Sequence, residues 1–225
     1  MSTFDVKAEL FEQLARIGKA LGNAYRLQIL DLLAQGERSV DVVAQLCHLS
    51  ITNASQHLQH LRRAGLVQAR KEGLYVHYRL SGDGVVRLVA AMRAVGEEHV
   101  AEVDKLIKEY LNAKDELEPV PARDLLERAR SGLVTILDVR PPEEYRAGHL
   151  PGAINIPLAD VAKRANELPA DREVIAYCRG PYCLMSFEAV ALLRKKGRKA
   201  RRLQDGYPEW KLLGLPVEQG SSSTR

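Results

Sequence analysis

The chain has 225 residues, 46% hydrophobic and 28% charged, which excludes wholesale disorder and gives enough length for one large domain or two small ones. Aromatic residues at 5% argue against a base-stacking platform for single strands, and no apolar run approaches the roughly 18 residues of a membrane span. Lys plus Arg exceed Asp plus Glu by 33 to 29, a net charge of +4 that permits a nucleic-acid partner without demanding one. Three cysteines, Cys47, Cys178 and Cys183, are too few for a disulfide scaffold, which leaves metal, redox or catalytic roles, or burial. The first residues lack the basic start and apolar stretch of a secretory signal, so the expected compartment is the reducing cytoplasm.

In chain order, Val6, Leu10, Leu14 and Ile17 recur at helical spacing. A second helix is predicted over 24–34, ended by Gly36, and a third over 40–46 with Ser39 as its N-cap. A fourth runs over 52–64 and closes at Gly65. Two β-like runs, 67–70 and 75–80, flank the turn Lys71-Glu72-Gly73. A long helix is expected over 84–112. The charged segment 113–120, with Pro119 near its end and Pro121 just after it, reads as a linker. Beyond it the grammar changes to buried strands over 134–139 and 174–177 alternating with helices, the pattern of a small α/β domain with a mainly parallel sheet. The predicted architecture is therefore a mainly-α winged helix-turn-helix over 1–112, a linker over 113–120, an α/β domain over 121–217 and a disordered tail over 218–225.

The fourth helix is the recognition candidate. Ile51, Ala54, Leu58 and Leu61 fall on one face and are expected to pack inward, while Thr52, Asn53, Ser55, Gln56, Gln59 and His60 face elsewhere. Short hydroxyls and amides suit the edges of bases in a major groove, and Arg62, Arg63, Arg70, Lys71 and Arg79 would neutralise phosphates. These residues, with Arg26-Leu27-Gln28-Ile29-Leu30-Asp31-Leu32-Leu33 and the wing Gly73-Leu74-Tyr75-Val76-His77-Tyr78-Arg79-Leu80, make the first 110 or so residues resemble the ArsR-type repressors. The resemblance implies a homodimer built from the first and last helices, a palindromic double-stranded operator and an inducer that releases DNA. Cys47-His48 lacks the second cysteine of one family metal site, and Val85 stands where another needs a histidine, so no metal ligand set and no cofactor are assigned. A structural role in protein contacts alone is the competing reading of this half.

The second half turns on Cys178-Arg179-Gly180-Pro181-Tyr182-Cys183, between a buried strand and a helix over 184–196. Loop N–H groups and the helix N-terminus are expected to converge on the Cys178 sulfur, and Arg179 to lower its pKa and bind an anion. Together with Asp138 through Pro157 and Asp205-Gly206-Tyr207-Pro208-Glu209-Trp210, this loop resembles the rhodanese family. The resemblance implies that Cys178 is the nucleophile cycling between thiol and persulfide, in a loop of sulfurtransferase length that includes Gly180, Pro181 and Tyr182. The donor would be a sulfane-sulfur compound such as thiosulfate or polysulfide. Gly180 is second after the cysteine and Pro181 third, and Cys183 replaces the usual last residue; Cys183 is thus a candidate resolving thiol. Asp138, Arg140 and His149 are expected to be structural. The basic cluster over 194–202 reads as a solvated helix end. The joint reading is a DNA-binding repressor that accepts sulfane sulfur at Cys178. The alternatives are a thiosulfate-type sulfurtransferase first and foremost, or a thiol-based metalloid-responsive repressor.

Overall fold

The computed structural model describes residues 3–111 and 118–220, in two compact units, residues 1–90 and 91–225. In the first unit the chain runs α1 (Thr3–Leu21), α2 (Ala24–Leu33), β1 (Arg38–Ser39), α3 (Val40–Leu46), α4 (Ile51–Arg63), β2 (Val67–Glu72), β3 (Tyr75–Leu80) and into α5 (Asp83–His99). The three strands form an antiparallel sheet in the order β1-β3-β2, with Arg70 opposite His77 in the wing. Side-chain caps set the helix starts. Asn23 accepts from Arg26 N at 3.2 Å, Ser39 from Val42 N at 3.4 Å and Ser50 from Asn53 N at 3.2 Å.

The turn between α3 and α4 is sharp because His48 takes a left-handed conformation (φ 53°) and Leu49 N donates back to Ala44 O at 2.8 Å. The same closure ends α4, with Gly65 at φ 76° and Leu66 N donating to Leu61 O at 3.0 Å. The core joins Ile29, Leu30, Val43, Ala54, Leu58, Leu61 and Leu66. Ile51 departs from the expected inward face and is 59% exposed. It is the first residue of α4, one turn before Ala54, where the helix has not yet reached the core. The short β1, unanticipated in the sequence, pairs with β3 and extends the wing sheet.

The helix expected over 84–112 is broken. α5 ends at His99, Val100 is extended (φ −112°, ψ 102°), and α6 (Ala101–Leu106) passes into a π-turn over Ile107–Leu111. Gly96 and a β-branched Val100 weaken the helix there, and a Cβ on Gly96 would touch Val103 Cγ2 at 3.8 Å. The expected linker lies outside the described residues over 113–117, but Val120 N donates to Arg202 O at 2.9 Å and already belongs to the second sheet's edge.

After α7 (Ala122–Arg130), the second unit builds a four-stranded parallel sheet of β4 (Val134–Asp138), β5 (Ile154–Asn155), β6 (Glu173–Tyr177) and β7 (Ala200–Arg202), ordered β5-β4-β6-β7. The helices are α8 (Pro142–Ala147), α9 (Leu158–Arg164), α10 (Leu184–Lys195) and α11 (Tyr207–Leu212). Strand alternation sends Val134, Ile136, Ile175 and Tyr177 into one core with Leu125 and Trp210. Leu137, Val174 and Ala176 enter the other core with Val161 and Val190. Sheet and helices thus form the α/β layers that the sequence predicts. The cluster over 194–202 is more than solvated charge: Arg194 Nε donates to Ala200 O at 2.9 Å, Arg198 to Leu168 O and Pro169 O, and Arg201 to Glu118 O. Of the expected tail, Glu218 is paired with His149 through two backbone bonds of 2.9 Å, and 221–225 lie outside the described residues.

Candidate functional site

On the first unit, Thr52, Asn53, Gln56, Gln59, His60, Arg62 and Arg63 lie exposed along α4, and Ser55 is half-buried. Gln59 Nε2 donates to Ser55 Oγ at 3.2 Å, fixing one amide on the recognition face. In the wing, Lys71 and Arg79 are exposed. Arg79 donates to Gln68 Oε1 at 2.9 Å, and Arg70 is held between Glu37 and Glu72 at 2.8 Å each, so part of its charge is already countered. His57 sits behind this face, with its pKa lowered by burial and by Arg26 and His60. A shallow basic depression joins His60 and Arg63 to Arg16, Lys19 and Arg26. Arg16 and Lys19, on α1, are distant in sequence from the recognition helix, and nothing in the linear pattern marks them as its neighbours. Cys47 belongs to the core of this unit. Among the described residues no three His, Cys, Asp or Glu groups gather as a metal site.

On the second unit, β6 ends at Tyr177, and the six-residue loop begins at Cys178 and ends at Cys183, the N-cap of α10. A frame of buried groups holds the loop's base. Arg140 chelates Asp138 (2.6–3.1 Å) and donates to Gly148 O at 2.7 Å, and both side chains are fully buried. Tyr177 Oη donates to Asp138 at 2.5 Å and accepts from Leu150 N at 3.1 Å, and the Arg140 guanidinium lies 4.6 Å over the Tyr207 ring. Burial and the neighbouring Asp138 push the Tyr177 phenol well up, so it stays a donor. His149, also buried, stacks on Tyr145. These contacts support the structural reading of Asp138, Arg140 and His149.

Arg179 is anchored by a two-point ion pair to Glu144, with contacts of 2.6–3.1 Å. Glu144 itself is buried. Tyr182 Oη donates to Glu97 at 2.6 Å, within the unit that starts at residue 91. Burial and that bond push its phenol up to about 12. Gly180 is buried and Pro181 half-buried. Gly206 packs against the loop backbone: a Cβ there would collide with Arg179 and Gly180. Its φ of −114° is ordinary, so glycine is needed for space and not for conformation.

The two sulfurs sit in different surroundings. Cys178 is 1% exposed, and its Sγ meets oxygens: Ser186 Oγ at 3.3 Å, Cys183 O at 3.4 Å and Gly180 O at 3.9 Å. Burial first, and then the Cys183 sulfur that it faces, push the Cys178 thiol well up. The hydroxyl and backbone N–H of Ser186 pull the other way on Cys178, and N–H groups also act on Cys183. There the N–H groups of Arg179 and Met185 face the sulfur without closing a formal N-cap bond, and the Arg179 charge adds to them. With Cys178 as donor to it, the Cys183 thiol is pulled down to about 7. Ser186, one turn into α10 and buried, was not marked by any sequence motif; only its contact with Cys178 reveals it.

Residues 121–213 match the family model of the rhodanese-like domain, and residues 21–68 match a helix-turn-helix domain model. The chain is 50% identical over 217 residues to the HTH-type transcriptional regulator Rv0324 of Mycobacterium tuberculosis, spanning 96% of this chain and 95% of that protein. It is 34% identical over 85 residues to a sulfurtransferase of Allochromatium vinosum, spanning 37% of this chain and 78% of that one. Among solved structures it is similar to the homodimeric winged helix-turn-helix DNA-binding domain Mb0332 of Mycobacterium bovis, at 49% identity and a TM-score of 0.42, covering 45% of this chain and 94% of that one.

Proposed function

This chain belongs to the HTH-type transcriptional regulators and carries a rhodanese-like domain in the same polypeptide; from that premise we propose that the two-cysteine loop is the regulator's sensor. A sulfane-sulfur donor such as thiosulfate or polysulfide leaves one sulfur on the loop as a persulfide, and the second thiol displaces it as hydrosulfide to form a disulfide. The resemblance puts the persulfide on Cys178, with Arg179 and the loop residues Gly180, Pro181 and Tyr182 around it. The observation that carries this reading is a loop between β6 and α10 with a cysteine at each end, Cys178 Sγ lying 3.4 Å from Cys183 O, in a chain whose other unit presents a recognition helix.

DNA is read by α4 in the major groove, with Thr52, Asn53, Ser55, Gln56, Gln59 and His60 toward base edges. Arg62, Arg63, Arg70, Lys71 and Arg79 lie toward phosphates. A homodimer is supported by α1, where Leu10, Phe11 and Leu14 are each 60% exposed, an apolar stripe that a second copy would bury. Among the described residues no helix is long and apolar enough to cross a membrane, and a DNA-bound regulator belongs in the cytoplasm. A coupling of about 1–3 kcal/mol between loop chemistry and DNA affinity suffices for a switch of about tenfold. The test measures Kd for a duplex selected from a random pool, with and without polysulfide. A tenfold change is expected, and unchanged affinity overturns the sensor.

The rhodanese-like match favours a second reading, catalytic sulfur transfer. Thiocyanate formation from thiosulfate and cyanide reads it directly. Equal rates in the wild type and Cys178→Ser remove Cys178 as the nucleophile.

A further inference from the structure

Asn53, Gln56, His60 and Arg63 recur at helical spacing and fall on one side of α4. Where that stripe ends, His60, Arg63 and Ala64 border a depression of about 180 Å³ whose other walls are Arg16, Lys19 and Ala20 of α1 and Arg26 of α2. No carboxylate lines it. Arg16 donates to the neutral Gln13 Oε1 at 2.8 Å, and Arg26 donates to Lys19 O at 2.9 Å and to Ala20 O, which fixes its guanidinium as a wall. The helix ends explain only part of this charge. The C-termini of α1 and α4 meet here, each worth about half a negative charge, so together they offset about one of the formal charges of Arg16, Lys19, Arg26 and Arg63. The remaining field reaches His57, whose protonation is disfavoured by burial and by Arg26 and His60. At about 100° of helix per residue, Arg16 and Lys19 lie on the other side of α1 from Leu10, Phe11 and Leu14, so a second copy seated on that stripe leaves the depression open.

We propose that this depression is a phosphate seat, filled by a backbone phosphate of the operator beyond the bases that α4 reads. It adds α1 and α2 to a DNA interface otherwise made of α4 and the wing, and it rests on the reading of α4 as the recognition helix. Distance supports the source. From Asn53 to Arg63 the helix advances about 15 Å, whereas the major groove is about 12 Å wide. A helix whose first turns touch base edges therefore carries its last turn to the sugar–phosphate wall. Chemistry supports the ligand. Cationic donors from three helices converge on one open space, and a phosphate oxygen accepts several charge-assisted bonds at once. Ala20 and Ala64 leave the floor without long side chains, so the anion can settle between the donors. A free phosphate compound presents the same oxygens and is the other source to be separated.

The full-length double variant Arg16→Gln with Lys19→Gln tests the seat, because both side chains are exposed and glutamine keeps the helix. Kd for the selected duplex is measured between about 50 and about 200 mM salt, together with a scan that replaces single phosphates by uncharged methylphosphonate. The variant is expected to lower the slope of log K against log salt by about 1 for each half-site, and to lose affinity for selected and scrambled duplexes alike. At one phosphate per half-site the neutral linkage is expected to weaken wild-type binding at least about threefold and to leave the variant's binding unchanged. An unchanged slope, or a scan in which every phosphate matters equally to wild type and variant, removes the operator from the seat. Inorganic phosphate is then added without DNA at constant ionic strength and followed by phosphorus NMR. Line broadening that the variant loses leaves a seat for a free phosphate, and broadening absent from both proteins overturns the seat outright. Gln56→Ala keeps this inference apart from the reading of α4. It is expected to reduce discrimination between selected and scrambled duplexes at an unchanged slope. Unchanged discrimination counts against the reading of α4, while the slope of the double variant still scores the seat.

Discussion

Asp138 and Arg140 lie at zero exposure beside the loop, and each satisfies the other's charge. Tyr177 and Gly148 take up the remaining polar valences. Such a pair contributes little over an apolar substitute, but removing one partner strands the other. Arg140→Met leaves Asp138 buried and uncompensated; a loss of about 3–5 kcal/mol is expected in urea unfolding of the second unit, and an unchanged midpoint contradicts this. Cys183 provides the pH prediction. Its lowered pKa makes the thiolate the main form above about pH 7 and the thiol below it. Alkylation of Cys183 therefore rises with pH to half its plateau near pH 7, whereas an ordinary cysteine would reach that point near pH 9. A half-plateau near 9 would show that the N–H groups and the Cys178 donor do not act on this sulfur.

Elements, more than single side chains, set the loop's shape. α11 begins at Tyr207, and Gly206 just before it lies against the backbone of Arg179 and Gly180. Gly206→Ala must push the loop aside. Sulfur uptake is expected to fall at least about tenfold while far-UV circular dichroism keeps the sheet and helix signal, and uptake at the wild-type rate would show that the loop yields freely. Most helix boundaries were legible because they follow from local chemistry: Ser39 and Ser50 cap α3 and α4, and Gly65 closes α4. The break at Val100 was not legible, since the apolar spacing continues through it and the bend is visible only in the packing of Val103 over Gly96. Ile51 misled for a related reason: periodicity gives a face, but not how far along the helix the core extends.

For the whole molecule, the proposed phosphate contacts draw on charges from separate elements. Arg62 and Arg63 end α4, while Lys71 and Arg79 lie in the wing. Replacing Arg62 and Arg63 together with alanine is expected to weaken binding across all sequences and to lower the slope of log K against log salt by about 2. An unchanged slope would take both residues off the phosphates. The division at 90 and 91 falls within α5.

By itself, the sequence determined that the chain holds a winged helix-turn-helix and a rhodanese-like α/β domain, because hydrophobic period, caps and motif spacing are local properties of the chain. Only the tertiary structure decided how unlike the surroundings of the two sulfurs are. That depends on amide groups at Arg179 and Met185, on three oxygens around Cys178, and on burial, all of which meet only once strand, loop and helix have packed.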